Sequence, residues 1–140
     1  MIIFVCTGNT CRSPMAEGFY KAKTGKEAES YGLSCSGGCP ASEHAVSAMA
    51  HFGVDISGHL SRRITLDAVS SAEEILCMTE EQKIMLSYVY PEYSGKIRLL
   101  SEASGKTGNV ADPYGGSEKV YLSCAREIEG LIDGYIKMHA

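Results

Sequence analysis

The sequence lacks the features that would place the protein on nucleic acid or in a membrane. It has no cluster of basic residues, and 13 Lys and Arg against 17 Asp and Glu give a formal net charge of -4. Broad attraction to a polyanion is therefore excluded, so an anionic ligand must be held by a local site. The apolar run Met1–Val5 is too short for a membrane span or a signal peptide. We expect a cytoplasmic protein that binds neither nucleic acid nor membrane.

The sequence also lacks a long linker, an internal repeat and a low-complexity segment. Its 140 residues, of which 44% are hydrophobic and 21% charged, are enough for one packed core. The six cysteines are scattered, and a domain of this size needs no disulfides for stability. We therefore predict a single domain over residues 1–140 that acts as a monomer and keeps most of its cysteines as free thiols.

Strand and helix patterns alternate along the chain. Ile2–Cys6 is apolar and partly β-branched, which predicts a buried strand, and Ser13 followed by Pro14 predicts a helix that continues to about Thr24. The other predicted strands are 31–36, 74–78 and 96–100, and the other predicted helices are 42–52, 80–89 and 117–138. This alternation predicts an α/β fold of three layers, a doubly wound open parallel sheet of about four strands with helices on both faces.

The segment Cys6–Ser13 joins the end of the first strand to the start of the first helix, the place where such folds bind ligands. Backbone N–H groups can converge there on one anion, with the helix dipole behind them. Gly8 and Asn9 tolerate the left-handed backbone that a tightly wrapped loop requires. Arg12 can close the ring with a planar fork of donors that suits two phosphate oxygens. The segment therefore predicts a phosphate-binding loop.

A thiol at the base of such a loop is surrounded by groups that favour the thiolate: amide donors, a helix N-terminus and a guanidinium. Cys6 is therefore the candidate nucleophile. Cys6 as a small buried hydrophobe and Arg12 as a surface charge would be the ordinary alternative for each residue alone. Their combination at a strand-to-helix junction favours catalysis.

The sequence resembles the low-molecular-weight protein tyrosine phosphatases, whose signature is Cys-x5-Arg-Ser at the N-terminus. The resemblance covers essentially the whole chain. It rests on the loop, on the adjoining residues 13–17, on the pair Ser36-Gly37, on residues 55–59 and on Asp112-Pro113-Tyr114. It implies a protein phosphatase that acts on phosphorylated proteins and needs no metal or cofactor.

The resemblance also implies a role for each site residue. Cys6 would form a cysteinyl-phosphate, Arg12 would bind the equatorial oxygens, and Asp112 would act as general acid and then as general base. Substrate or phosphate contacts would come from the rest of the loop and from one aromatic residue: Thr7, Gly8, Asn9, Thr10, Cys11, Ser13 and Tyr114. Ser36 and His59 would belong to a network that supports the loop, together with Asn9 and Ser13.

Three of these residues have ordinary alternatives. Asp112 precedes a proline, which is a common turn position for aspartate. His59 could be a capping or core histidine instead of a network member. Cys11 could pack behind the loop, or could trap an oxidised Cys6 in a reversible disulfide.

Two positions favour arginine over tyrosine as the phosphorylated residue. Thr10 stands where tyrosine-directed members carry an aliphatic residue, and Gly115 follows Tyr114 where many of them place a second aromatic. Both features resemble the bacterial protein-arginine phosphatase branch, and a polar guanidinium needs the hydrogen-bond partners that Thr10 and Asp112 could supply. A tyrosine phosphatase remains the main alternative.

Two other classes of protein are disfavoured. A thioredoxin-coupled arsenate reductase is disfavoured because Cys77 has no second cysteine in the helix that follows it. A non-catalytic phosphate-binding or redox module is disfavoured by the presence of Cys6, Arg12 and Asp112 together.

Overall fold

The structure, a computed structural model, describes residues 1–140. Its strands are β1 (Ile2–Cys6), β2 (Ala28–Gly32), β3 (Glu74–Cys77) and β4 (Ile97–Leu99). Its helices are α1 (Arg12–Thr24), α2 (Glu43–Ala50), α3 (Leu66–Ser71), α4 (Glu80–Val89), α5 (Leu100–Ala103) and α6 (Glu118–Met138), and a 3-10 helix spans Pro91–Lys96. No helix is both long and apolar enough to cross a membrane.

The four strands form one parallel sheet in the order β2-β1-β3-β4. Side chains of β1 alternate between its two faces. Phe4 packs in the larger core with α1, α2 and α6, whereas Val5 packs in the smaller core with residues of α3 and α4. Helices therefore cover both faces, and the predicted three-layer α/β fold is confirmed. Because β1 has β2 on one side and β3 on the other, its carboxyl end lies where the strand order reverses.

The second strand was predicted at 31–36, and this prediction is wrong. The strand spans Ala28–Gly32 and pairs in parallel with the whole of β1. It ends at Gly32 because the chain there lies against the loop after β1: a Cβ on Gly32 would stand 2.9 Å from the Thr7 carbonyl oxygen and 3.1 Å from the Asn9 Cβ. Beyond the strand the Leu33 and Ser34 N–H groups still donate to the Cys6 and Thr7 carbonyls at 3.0 Å, and positive φ angles follow at Gly37 and Gly38.

The predicted helices are present with small changes at their ends, since the predicted first residues Ser42 and Ser117 are N-caps. Ser42, Thr79 and Ser117 each accept a hydrogen bond from a backbone N–H of the following turn. The short helices α3 and α5 and the 3-10 helix were not predicted. They consist of a few residues each, too few for a clear periodic pattern.

Candidate active site

The loop that connects β1 to α1 begins at Cys6, the last residue of β1, and ends at Arg12, the first residue of α1. Both residues are buried, with 2% and 5% of their surfaces exposed. The strong pairing of β1 on both sides fixes one end of the loop, and the first turn of α1 fixes the other. The loop is therefore held rigidly at the carboxyl edge of the sheet.

Asn9 is the centre of the hydrogen-bond network in this loop. Its φ of 57° lies in the left-handed region predicted from the sequence. Its side-chain Nδ2 donates to Ser13 Oγ at 2.8 Å and to Ser30 Oγ at 3.0 Å, and its Oδ1 accepts the Arg62 N–H at 2.9 Å. The Asn9 carbonyl lies 2.7 Å from His59 Nε2, which must be the donor because a carbonyl oxygen can only accept. These contacts set the curvature of the loop.

The Cys6 sulfur is positioned as a nucleophile would be. Its Sγ lies 2.9 Å from Ser13 Oγ and accepts the Asn9 N–H at 3.3 Å. Ser13 Oγ already accepts a bond from Asn9, which leaves its own hydrogen free to point at the sulfur. Donors on the sulfur stabilise a negative charge there.

Arg12 and Asp112 meet beside the loop. Arg12 Nη1 donates to the Val110 carbonyl at 2.9 Å, and Nη2 lies 3.7 Å from Asp112 Oδ2. The other N–H groups of the guanidinium have no protein partner and can bind an oxyanion. Asp112 also caps its own turn, because its Oδ1 accepts the Tyr114 N–H at 3.0 Å. The Asp112 side chain is 54% exposed, so it can reach a bound group from the solvent side.

The supporting network includes Ser30 and not Ser36, which corrects the sequence prediction. Ser36 is exposed and makes no side-chain hydrogen bond to the loop. Ser30 is buried, accepts from Asn9 and donates to Glu17 Oε1 at 2.6 Å. Ser36 had been assigned to the network from the family resemblance, and the serine that the fold brings to Asn9 is Ser30 of β2. His59 does contact the loop, as the prediction expected.

Gln82 was missed by sequence reasoning, because a glutamine in the first turn of a helix has no distinctive pattern. Its Nε2 donates to Thr7 Oγ1 at 3.1 Å, and its Oε1 accepts the Met78 and Thr79 N–H groups at 3.0 and 3.1 Å. Gln82 therefore ties the start of α4 to the catalytic loop. The capping box with Thr79 was the one available signal.

Cys11 lies in the loop but faces the helices behind it. Its Sγ is 3.4 Å from Tyr121 Oη and 3.5 Å from Ser42 Oγ. Burial, with a smaller contribution from the bond to Cys11, raises the pKa of Tyr121 to about 12. These contacts give Cys11 a packing role. The disulfide with Cys6 stays a prediction, because all six cysteines are free thiols here.

A cleft of about 500 Å³ opens beside Arg12 and Asp112, between the start of α4 and the segment 109–112. We call it the side cleft. Its wall consists of twelve residues: Thr7, Arg12, Leu33, Ser34, Thr79, Glu81, Gln82, Met85, Asn109, Val110, Ala111 and Asp112. Of the predicted substrate or phosphate contacts, Thr7 lies in this wall, whereas Thr10 and Tyr114 lie outside it.

A parallel α/β sheet with a cysteine and an arginine at the two ends of an anion-binding loop defines the class: a phosphatase of the Cys-x5-Arg type. The family model for low molecular weight phosphotyrosine protein phosphatases matches residues 1–138, and the chain belongs to that family. It is therefore a hydrolase that removes phosphoryl groups.

Individual relatives carry two different names. A protein-arginine-phosphatase from Geobacillus stearothermophilus is 38% identical over 135 residues, covering 94% of this chain and 90% of that protein. A low molecular weight protein tyrosine phosphatase from T. tengcongensis has a crystal structure with 44% identity, a TM-score of 0.93 and coverage of 97% of both chains. A cysteine-to-serine mutant of an arginine phosphatase, solved with its active-site serine phosphorylated, is 36% identical with a TM-score of 0.92 and covers 97% of this chain and 93% of that chain.

Proposed function

We propose that this protein hydrolyses phosphoarginine in proteins, by transferring the phosphoryl group first to Cys6 and then to water. The observation that carries the proposal is the sulfur of Cys6, which accepts hydrogen bonds at the end of a loop whose other end is Arg12. The whole chain would act as one domain and as a monomer. A thiol nucleophile needs a reducing compartment, which supports a cytoplasmic location.

In the first step the Cys6 thiolate attacks phosphorus, an S–P bond forms and the bond from phosphorus to the substrate nitrogen breaks. Loop N–H groups and the free N–H groups of Arg12 hold the phosphoryl oxygens as negative charge develops on them. Asp112 gives its proton to the leaving nitrogen. The phosphorylated serine in the related mutant supports this route. In that protein the side chain that replaces the active-site cysteine carries the phosphoryl group.

In the second step a water molecule attacks phosphorus and the S–P bond breaks. The Asp112 carboxylate takes the proton from the water, and inorganic phosphate leaves with Cys6 again a thiolate. The 3.7 Å separation between Arg12 Nη2 and Asp112 Oδ2 supports both roles, because the carboxylate stands next to the group that binds phosphate.

The preference for arginine rests on Thr10. Its side chain is half-buried, and its hydroxyl has only a long 3.8 Å contact with Cys11 Sγ. The hydroxyl is thus available to an N–H of the substrate guanidinium. The backbone of Thr10 is fixed, because its carbonyl accepts the Ser42 N–H at 3.0 Å. A polar group held in place can form a hydrogen bond with a planar guanidinium but not with the apolar part of a phenyl ring.

Tyrosine is the second candidate, and Tyr114 is the feature that favours it. This side chain is 81% exposed next to Asp112, where an aromatic ring could stack on a phenyl group of the substrate. The name of the T. tengcongensis protein also agrees with this alternative.

Turnover of phosphoarginine and phosphotyrosine by wild type and by Thr10→Ile tests the choice. We expect wild type to prefer phosphoarginine. Thr10→Ile should lower kcat/KM for phosphoarginine by about tenfold to a hundredfold, since it leaves a donor of the guanidinium unpaired at a cost of about 1–3 kcal/mol. Phosphotyrosine activity should hold or rise.

Thr107→Ile is the matched control, because Thr107 is exposed and makes no side-chain hydrogen bond. It should change neither activity. If wild type prefers phosphotyrosine, or if Thr10→Ile lowers both activities equally, the protein is a tyrosine phosphatase. Loss of all activity in Cys6→Ser is expected under either substrate, and full activity in that variant would end the proposed mechanism.

A further inference from the structure

We propose that the side cleft binds the residue next to the phosphorylated one in a protein substrate, and that it selects a long basic side chain, lysine or arginine. The proposal rests on the proposed function, since it requires a phosphorylated protein as substrate. It is independent of whether the phosphorylated residue is arginine or tyrosine.

The position of the side cleft fits a neighbouring subsite. Arg12 and Asp112 belong to its wall, so the cleft adjoins the place where the proposed function puts the phosphoryl group. Thr10 and Tyr114, which border the phosphorylated residue in the proposed function, are absent from the wall. The cleft therefore lies beside the seat of the phosphorylated residue, and its volume of about 500 Å³ is available to a second side chain.

The wall of the cleft suits an alkyl stem. Leu33, Met85, Val110 and Ala111 supply its apolar surface. Met85 is 46% exposed although it is a large apolar residue, and it leaves this surface in contact with water. Lysine and arginine lay their methylene groups along such a surface while their charged ends stay in water.

The charges around the cleft favour a cation. Its acidic residues are Glu81 and Asp112, and its one basic residue is Arg12, which the proposed function assigns to the phosphoryl group. Glu81 is exposed and forms neither an ion pair nor a side-chain hydrogen bond. The nearby Lys83 cannot neutralise it without leaving Glu102, to which it is bonded at 3.1 Å. A cationic end group of the substrate would give Glu81 the partner that the protein does not provide.

Asn109 can hold the backbone of the same substrate residue. Its Oδ1 accepts the Glu80 N–H at 2.8 Å, so the orientation of the amide is set. The amide nitrogen has no partner within the protein and can donate to a peptide carbonyl. A backbone contact here would place the neighbouring side chain against the apolar wall.

The test compares three phosphopeptides that share one phosphorylated residue and carry lysine, norleucine or glutamate beside it. The series is made once with phosphoarginine and once with phosphotyrosine. Wild type should show kcat/KM higher for the lysine peptide than for the norleucine peptide by about threefold, and higher than for the glutamate peptide by about tenfold, as a partly exposed ion pair allows. Glu81→Gln should remove most of this ranking, and Glu81→Lys should invert it.

Glu80→Gln is the control, because Glu80 also lies in the first turn of α4 but outside the cleft. It removes the same charge from the same helix end, so the ranking should stay as in wild type. Equal changes in Glu80→Gln and Glu81→Gln, or no ranking in wild type, would overturn the inference while leaving the proposed function standing. Failure to turn over any of the peptides would contradict the proposed function itself, and the inference with it.

Discussion

Asn9 shows how one side chain can shape a whole catalytic loop. A left-handed residue with a short amide side chain can curve the backbone and bond in several directions at once. Here Asn9 reaches Ser13 at the start of α1 and Ser30 on the neighbouring strand, with both amide hydrogens donated and the amide oxygen accepting one bond. The geometry around the Cys6 sulfur therefore depends on residues that never touch a substrate.

Ser30→Ala should show this dependence directly. The change removes the acceptor of Asn9 and the donor to Glu17, and it leaves a buried amide hydrogen unpaired. We expect the free energy of unfolding in urea to fall by about 1–3 kcal/mol. We also expect a lower kcat, because Asn9 loses one of the bonds that hold it.

Ser36→Ala provides the comparison, since the family resemblance implied that this serine belongs to the same network. The residue is exposed and free of loop contacts, so its substitution should change stability by less than about 0.5 kcal/mol. Similar losses in the two variants would mean that the network extends to Ser36 after all.

At the scale of elements, the start of α4 is joined to the candidate active site. Gln82 belongs to the capping box with Thr79 and also bonds to Thr7 of the catalytic loop. A helix cap and a loop contact are thereby combined in one buried side chain, which is 4% exposed. Displacement of this helix end would move both the loop and the wall of the side cleft.

Comparing Gln82→Ala with Thr79→Ala separates these two roles. Thr79→Ala loses half of the capping box, so its free energy of unfolding should be about 1 kcal/mol lower than that of wild type. Gln82→Ala also leaves the buried Met78 N–H unpaired, so its loss should be larger. Only Gln82→Ala removes the hydrogen bond to Thr7, so only this variant should have a lower kcat. Thr7→Val should reproduce the kinetic defect without the loss of the cap. Equal kcat values in Gln82→Ala and Thr79→Ala would show that the bond to Thr7 has no catalytic effect.

Local patterns were enough to predict the first strand, the loop and the first helix. Ile2–Cys6 is continuously apolar, Gly8 and Asn9 mark a turn, and Ser13-Pro14 marks a helix start. The positions of Cys6, the candidate nucleophile, and of Arg12 therefore followed from neighbours in sequence. The second strand could not be placed in this way, because its end is set by the contact of Gly32 with the distant Thr7. The same holds for Ser30 and Gln82, whose roles depend on residues that only the fold brings near.

At the scale of the whole molecule, the core contains several ionisable groups whose pKa values are raised. Burial raises the pKa of the Cys77 and Cys124 thiols to about 12. Burial and the bond to Glu74 raise the pKa of Tyr135. An unfolded chain ionises its thiols from about pH 9, so between about pH 9 and 12 the native state holds more protons than the unfolded state. The contribution of these thiols to the free energy of unfolding is then fully present below about pH 9 and is lost as the pH rises.

Cys77→Ala should weaken this alkaline dependence. One ionising thiol contributes up to about 1.4 kcal/mol per pH unit, so the slope of unfolding free energy against pH above 9 should become shallower by about that amount. Cys39→Ala is the control, because Cys39 is exposed. Urea unfolding at several pH values from 8 to 11 gives the slopes. Parallel curves for wild type and Cys77→Ala would contradict the assignment of Cys77 as a buried neutral thiol.

The contacts of Asn9 have a consequence for how this protein acquires activity while it folds. Its partners Ser30, His59 and Arg62 lie 21, 50 and 53 residues away along the chain. Contacts between residues so far apart form slowly, because a long stretch of chain must be closed for each of them. The helices, which depend on near neighbours, can form earlier. We therefore expect the geometry around the Cys6 sulfur to be completed late in folding, when the middle of the chain has packed against the loop.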